Sequence, residues 1–427
     1  MATLTSAMLQ VKSRLDEYLP ADLILRICAE LQYHFRRRKL EPVTCIQLFL
    51  LQLLANVGLR GLVHTSGVGV SAQAICRARM KLPLALFARL LEQSVPAGVP
   101  ELFRGLKVYI ADGMGFMIPD NPRLTGKFGK PGNQRGESHG YPAGKMLALL
   151  ETGGGFFRRA ILLPCKRHEF TCLARLFKSM VKASLLMGDR GLVSFTHLLL
   201  LTQNLRHGCF QLPRGMVVKN RGKGSRKLKK RLGKQDLLVE WTACRRPKWL
   251  SARQWKKLKD QTLTLRQISF RVCRKGHRTR WAWIITTLLD PKQYPAQELI
   301  ELYSQRWQIE VDFRDLKRTL NLHRVSAKTI AGVHKEVLSY LLLYNLIRAV
   351  MQDAARQQKV PPDRISFTNA MLWILYAMPG SGVPKLEVNP IRKRKTQPRR
   401  VKTARHRYPA LKQSRELSCV PPCVVKI

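Results

Sequence analysis

The chain has 427 residues, 45% of them hydrophobic, which is enough to close a large core and too much for a disordered tail. Its 76 Lys and Arg against 27 Asp and Glu leave a formal charge of +49 that would repel itself in isolation, so a polyanionic partner is implied: DNA, RNA or an anionic membrane. The longest apolar run, Cys45 to Val63, is interrupted by Gln47, Gln52, Asn56 and Arg60, and no charged-then-apolar segment opens the chain, which argues against a membrane and predicts a cytoplasmic protein.

Residues 1–103 read as a helical domain. Leu23, Ile24, Ile27, Leu31 and the run from Val43 to Leu54 have helical periodicity, with Arg36, Arg37, Arg38 and Lys39 clustered between them. Ser71 is placed to cap a helix carrying Arg77, Arg79 and Lys81 before Pro83. Such basic helices suit a DNA groove, and they equally suit a solvated face.

From 104 to 215 the pattern is strand, strand, strand, helix, strand, the signature of an α/β core. The run from Leu106 to Asp112 is β-rich, and a Gly/Pro-rich loop from Pro119 to Pro142 holds Arg123, Lys127, Lys130 and Arg135. Strands follow at Lys145 to Glu151 and Arg159 to Pro164, then a helix at His168 to Val181 and a strand from Leu185 that meets Asp189. Asp112 and Asp189 would both stand at carboxyl ends of strands, where ligand sites of α/β sheets collect. A further helix is expected from Phe195 to Asn204 and a strand from Cys209 to Pro213.

Residues 216–280 change character to a β-rich insertion. Lys219 to Lys234 is a Gly/Lys/Arg run, Trp241, Trp249 and Trp255 are interleaved with basic residues, and Thr264 to Cys273 alternates like a strand. Cations beside aromatic rings can track phosphates and stack on an unpaired base; the same tryptophans can anchor a small core.

Between 281 and 355 an apolar strand, Trp281 to Leu288, precedes a helix that begins after Tyr294-Pro295. Its stretch from Tyr303 to Lys317 sets Tyr303, Arg306, Glu310 and Lys317 within roughly 60° of one another on an α-helix. Leu302, Ile309, Phe313, Leu316 and Leu320 form an adjoining apolar stripe, while Gln305, Gln308, Asp312 and Asp315 are expected to face solvent. Glu310 is thereby singled out as the acid at the edge of a core. Val333 to Asp353 reads as a long buried helix; residues 356–427 read as a basic C-terminal region whose composition turns loop-like after about Val360, with a dense tract from Arg392 to Arg407.

The ten cysteines are scattered singly, as reduced thiols are. Cys165, His168 and Cys172 have ligand spacing without a fourth ligand nearby, and Cys419 and Cys423 flank a Pro-Pro pair; neither set makes a case for zinc. The stronger constellation is Asp112, Asp189 and Glu310. Phosphoryl transfer without a protein nucleophile uses two divalent cations, and three carboxylates can hold them.

On these residues the chain resembles the DDE transposases of bacterial insertion sequences, specifically the insertion-sequence-four family. The Tyr303, Arg306, Glu310, Lys317 set, spaced Y-x2-R-x3-E-x6-K, is similar to that family's signature around its third acid. The likeness extends to Ala111-Asp112-Gly113, Pro119-Asp120, Phe128 to Pro131, Gly188 to Gly191, Thr286 to Asp290, Ser339 to Arg348 and Lys39 to Val43, covering about residues 35 to 355.

The resemblance implies a ribonuclease-H-like α/β catalytic core with the β-rich insertion lying between its second and third acids, beside the helical N-terminal domain. It implies cleavage at transposon ends with two Mg2+ ions, Mn2+ being able to substitute, and then strand transfer to target DNA, often through hairpin ends. Carried over by position, Asp112, Asp189 and Glu310 are metal ligands, and Tyr303, Arg306 and Lys317 contact phosphates near the cleaved end. Arg190 either neutralises a phosphate or makes a structural salt bridge. One insertion tryptophan holds a flipped base, and Trp249 lies in the region that resembles the family's Lys-Pro-x-Trp-Leu stretch. The implied partners are double-stranded DNA, at the transposon ends and the target, and a second copy of the chain in a synaptic homodimer, in a bacterial, nucleoid-associated setting. Two other readings share the charge: a two-metal nuclease that cuts without rejoining, and a transposase-derived DNA-binding protein without catalysis. Loss of an acid would favour the last, and all three acids are present.

Overall fold

Ten strands form in the computed structural model, which describes residues 16–96, 103–132, 140–219, 222–272, 280–376 and 382–390. Arg135, the tract from Arg392 to Arg407, Cys419 and Cys423 lie outside the described residues. The chain divides into a unit made of Met1–Phe270 with Ala282–Pro390, and a second made of Arg271–Trp281 with Ile391–Ile427. Within the second, the Arg271 guanidinium lies over the Trp281 ring, 4.9 Å from its centroid.

The strands are β1 (Lys107–Met117), β2 (Ala143–Glu151), β3 (Phe156–Pro164), β4 (Ser184–Gly188), β5 (His207–Gln211), β6 (Gly222–Lys223), β7 (Arg226–Gly233), β8 (Asp236–Thr242), β9 (Thr262–Val272) and β10 (Arg280–Thr286). They form one mixed sheet in the order β3-β2-β1-β4-β5-β10-β9-β8-β7-β6. β3, β2 and β1 pair antiparallel, whereas β1, β4 and β5 run parallel, as strands do when helical crossovers cover both faces. The strands of the 216–280 stretch therefore continue the same sheet, β9 lying next to β10 and β10 pairing antiparallel with β5.

Alternation along β1 shows how the two faces are covered. Val108, Ile110, Met114 and Phe116 point into one core, and Tyr109 and Ala111 into the other. The second core is closed by the 3-10 helix Glu169–Ser179 and the helix Phe195–Gln203. The helix expected over the first of these is present and is built on i to i+3 bonding. The first core is larger, because the N-terminal helices Ala21–Glu30, Pro42–Leu54, Leu59–Ser66, Ala72–Lys81 and Leu84–Gln93 bury their apolar faces in it.

The helix Ile330–Gln358 lies between those helices and the sheet and is buried along most of its length. Thr329 caps its start by accepting from the Gly332 amide, and Lys359 ends it in the left-handed conformation. Three polar side chains fix it. Lys335 Nζ donates to the Arg79 and Met80 carbonyls at 3.0 and 2.8 Å, satisfying the free carbonyl end of the helix Ala72–Lys81. Asn345 bonds both backbone groups of Phe157 in β3, and Arg348 donates to the Gly154 carbonyl and to Asp363.

Two local expectations are corrected. The Gly/Pro-rich loop contains a short helix, Pro122–Phe128, capped by Asn121, whose side chain accepts from the Leu124 amide. The stretch expected to be loop-like after Val360 contains the helix Phe367–Tyr376, because Phe367, Ala370 and Ile374 recur at helical spacing and are buried. Among the described residues no single helix is long and apolar enough to cross a membrane.

Candidate functional site

Parallel pairing of β1 and β4 sets Ala111 opposite Gly188, so the next residues, Asp112 and Asp189, come side by side where β4 ends. Only Asp189 stands at the end of its strand; Asp112 was expected to as well, but it lies within β1, which runs on to Met117 because its other edge stays paired with β2. Each carboxylate is held by a backbone amide: Asp112 Oδ1 accepts from Gly113 and Asp189 Oδ1 from Gly191, both at 2.8 Å. Gly188 is required at this turn-off, since a Cβ there would lie 2.6 Å from the Phe210 ring. The two aspartates open into a cleft of about 490 Å³, whose other walls include His168, Glu169 and Thr171.

The third acid comes from a segment that is not one continuous α-helix, as the sequence had suggested. It runs as an α-helix Ala296–Ser304, a 3-10 turn Gln305–Trp307, an α-helix Gln308–Arg314 and a π-turn Asp315–Thr319. The 3-10 turn brings residues three apart nearly into line. Tyr303 and Arg306 thereby both face inward, and both are buried. Tyr303 donates its hydroxyl to the Gly188 carbonyl at 3.0 Å, tying this segment to the end of β4. Arg306 reaches Asp112 Oδ2 through Nη1 and Glu310 Oε1 through Nη2, each at 3.3 Å.

Asp112 and Glu310 are thus brought together through Arg306, with Asp189 beside Asp112. Their charges register on one another. The Asp112 carboxyl is pushed up to about 6, chiefly by burial and further by Asp189 and Glu310, against the Gly113 amide and Arg306, which hold it down. Glu310 is the most exposed of the set, with 44% of its side chain accessible. Among the described residues no three of His, Cys, Asp and Glu stand close enough to share one ion, so the guanidinium is the cation that links the acids here. Cys165, His168 and Cys172 do not converge either: Cys172 is buried in the second core and the Cys165 sulfur lies against Gly129.

The remaining expected residues are spread around this centre. Lys317 lies in the π-turn, half-buried, with its ammonium in no ion pair among the described residues, and the same holds for the exposed Arg190. Trp249 lies elsewhere, stacked on His197 with centroids 4.8 Å apart and planes 6° apart, beside Leu250 and Leu258. That placement is of a packing anchor, with one ring face already taken. Asp312 is corrected outright: it does not face solvent but is 1% exposed, accepts from Gln308 at 3.1 Å and lies near Tyr344 and Arg348. Asp315 is likewise partly buried. The cause is that the helix Ile330–Gln358 covers this flank, so the segment is buried on two sides instead of one.

Glu169 is the residue that sequence reasoning passed over. Its side chain fills the space that a Cβ on Gly113 would occupy, at 2.9 to 3.2 Å, and Lys145 Nζ lies 3.7 Å from its carboxylate. Nothing in the local sequence marks it; only the approach of β1 and β2 to the 3-10 helix brings it into the cleft.

A family profile described as the transposase DDE domain matches residues 104–346, a span that contains all three acids. The transposase InsG for insertion sequence element IS4 of Escherichia coli (strain K12) is 26% identical over 326 residues, covering 71% of this chain and 70% of that protein. InsZ of the same organism is 25% identical over 213 residues, covering 45% of this chain and 67% of its own. Among solved structures, a piggyBac transposase synaptic complex with hairpin DNA aligns with 88% of this chain and 80% of its own at 9% identity and a TM-score of 0.44, a likeness too distant to bear on the fold.

Proposed function

The chain belongs to the DDE transposases of the insertion-sequence-four family, and from that premise we propose that it binds the ends of an insertion sequence, cleaves them and joins them to target DNA. The observation that carries this reading is the bracketing of Asp112 and Glu310 by Arg306, with Asp189 adjoining. Asp112 in β1 and Glu310 in a helix meet on one guanidinium, with Asp189 just past β4 beside Asp112, and the strand order around them supports a ribonuclease-H-like core.

The donor set suits a hard divalent cation such as Mg2+, because every ligand on offer is a carboxylate oxygen. Asp112, Asp189 and Glu310 would hold it, and a pair of such ions supplies activation of the attacking oxygen and stabilisation of the leaving one. The chain's own part is to orient. Tyr303 fixes the Glu310 segment against β4 through the Gly188 carbonyl, which makes it a positioning residue in this proposal. Arg306, Lys317 and Arg190 are assigned to DNA phosphates, Arg through its planar fork and Lys as a point charge. The helical residues 1–103 and the cationic strand β7 are assigned to duplex DNA beyond the cleft, and a second copy of the chain to the synapsis of two ends.

The test is cleavage and joining of labelled terminal DNA with Mg2+. Glu310→Gln is expected to lower cleavage by at least about 10³-fold, the scale of losing a transition-state contact, and to leave end binding within about twofold. Asp312→Asn is expected to cleave. Equal loss in both variants would reject the assignment of Glu310, and cleaved ends that never join would leave a nuclease in place of a transposase.

A further inference from the structure

Arg306 is held loosely by its two carboxylate partners. Its two ion pairs, to Asp112 and to Glu310, are both 3.3 Å long, whereas Arg104–Glu298, Arg158–Glu151 and Arg266–Asp236 close at 2.6 Å; its guanidinium also lies over the Trp307 ring, 5.4 Å from the centroid. Arg266, which is fully buried, uses Nε, Nη1 and Nη2 in hydrogen bonds; Arg306, slightly less buried, leaves a buried Nε without a partner, as Arg79 does. A guanidinium with an unsatisfied donor and two stretched ion pairs is weakly retained in its place. The alternative for the two carboxylates, with no cation between them, is mutual repulsion in a partly buried site.

We propose that Arg306 is a resident counter-cation, which holds Asp112 and Glu310 together in the metal-free protein and is displaced when a divalent cation takes their oxygens. This rests on the metal-site reading above and deepens it. A cation that engages both carboxylates competes with the guanidinium for the same oxygens. Once displaced, the fork is free beside the acids, where a DNA phosphate is to be received, and the buried Nε gains an acceptor. Ion loading and presentation of Arg306 to the phosphate thereby become one event.

The competition is read from Mn2+ binding without DNA, by electron paramagnetic resonance of the free ion at pH 8, in the full-length protein. Arg306→Gln is expected to bind Mn2+ on the order of tenfold more tightly than the unmodified chain, the size of effect when two loosely made ion pairs cease to compete. Arg306→Lys carries the same test if the Gln variant does not fold, since an ammonium cannot span two carboxylates as a fork does, and it too should bind more tightly. Asp112→Asn is measured alongside. If its Mn2+ binding is weakened while the Arg306 variants bind no better than the unmodified chain, the counter-cation role is overturned and the metal site stands. If Mn2+ binding is indifferent to Asp112→Asn, the metal site falls and the counter-cation role with it.

Discussion

Asp312 and Glu310 are two residues apart and live in opposite electrostatic circumstances. Glu310 stands exposed beside Arg306, while the Asp312 carboxyl is pushed up to about 7, first by burial, with Arg348 pulling it the other way. A carboxyl whose folded value lies above its unfolded one binds its proton more tightly in the native state. Stability is therefore lost as pH rises from about 4 towards 7, and the loss is complete once the buried group is ionised. Asn at this position mimics the neutral acid. Between pH 5 and pH 8 the unmodified chain should lose several degrees more of melting temperature than Asp312→Asn, on the order of 2–4 °C for each kcal/mol. Parallel losses in thermal melts of the two proteins would show that Asp312 is not the group responsible.

At the scale of elements, the turn between β2 and β3 is where the long helix is anchored. Gly155 has φ of +70°, and a Cβ there would lie 2.5 to 2.8 Å from the guanidinium of Arg348, which is itself bonded to the Gly154 carbonyl. Gly155→Ala should cost about 1–3 kcal/mol in urea unfolding. Gly126→Ala, in the helix Pro122–Phe128 with nothing within 4 Å of the new methyl, should instead gain about 0.5–1 kcal/mol. A similar sign for both would discard the steric account. The same elements show what the sequence made legible. The start of β1, the ends of β2 and β3 and the burial of Ile330–Gln358 were readable because strands and helices covered on both sides are apolar almost throughout. The stripe of Leu302, Ile309, Phe313, Leu316 and Leu320 was equally so, and all five are buried. The 3-10 and π turns of the Glu310 segment, the burial of Asp312 and the entry of Glu169 into the cleft were not. Each is imposed by a neighbour distant in sequence, and a wheel drawn at 100° per residue contains no neighbours.

At the scale of the whole molecule, charge governs how the chain meets DNA. Neutralising phosphates with Lys and Arg releases condensed counterions, so affinity for terminal DNA should fall linearly in log–log with salt. Lys317→Ala should reduce the magnitude of that slope by about one, uniformly across DNA sequences, when binding is titrated at several ionic strengths. An unchanged slope would remove Lys317 from the contact set. The sheet adds a mechanical consequence. Since the lysine-rich strand β7 and the strand bearing Asp112 belong to one hydrogen-bonded sheet, a pull exerted at the outer strands has no slack tether in which to dissipate. It travels along the pleated plank as along a lever arm, and the strand termini at the far end feel it as torque.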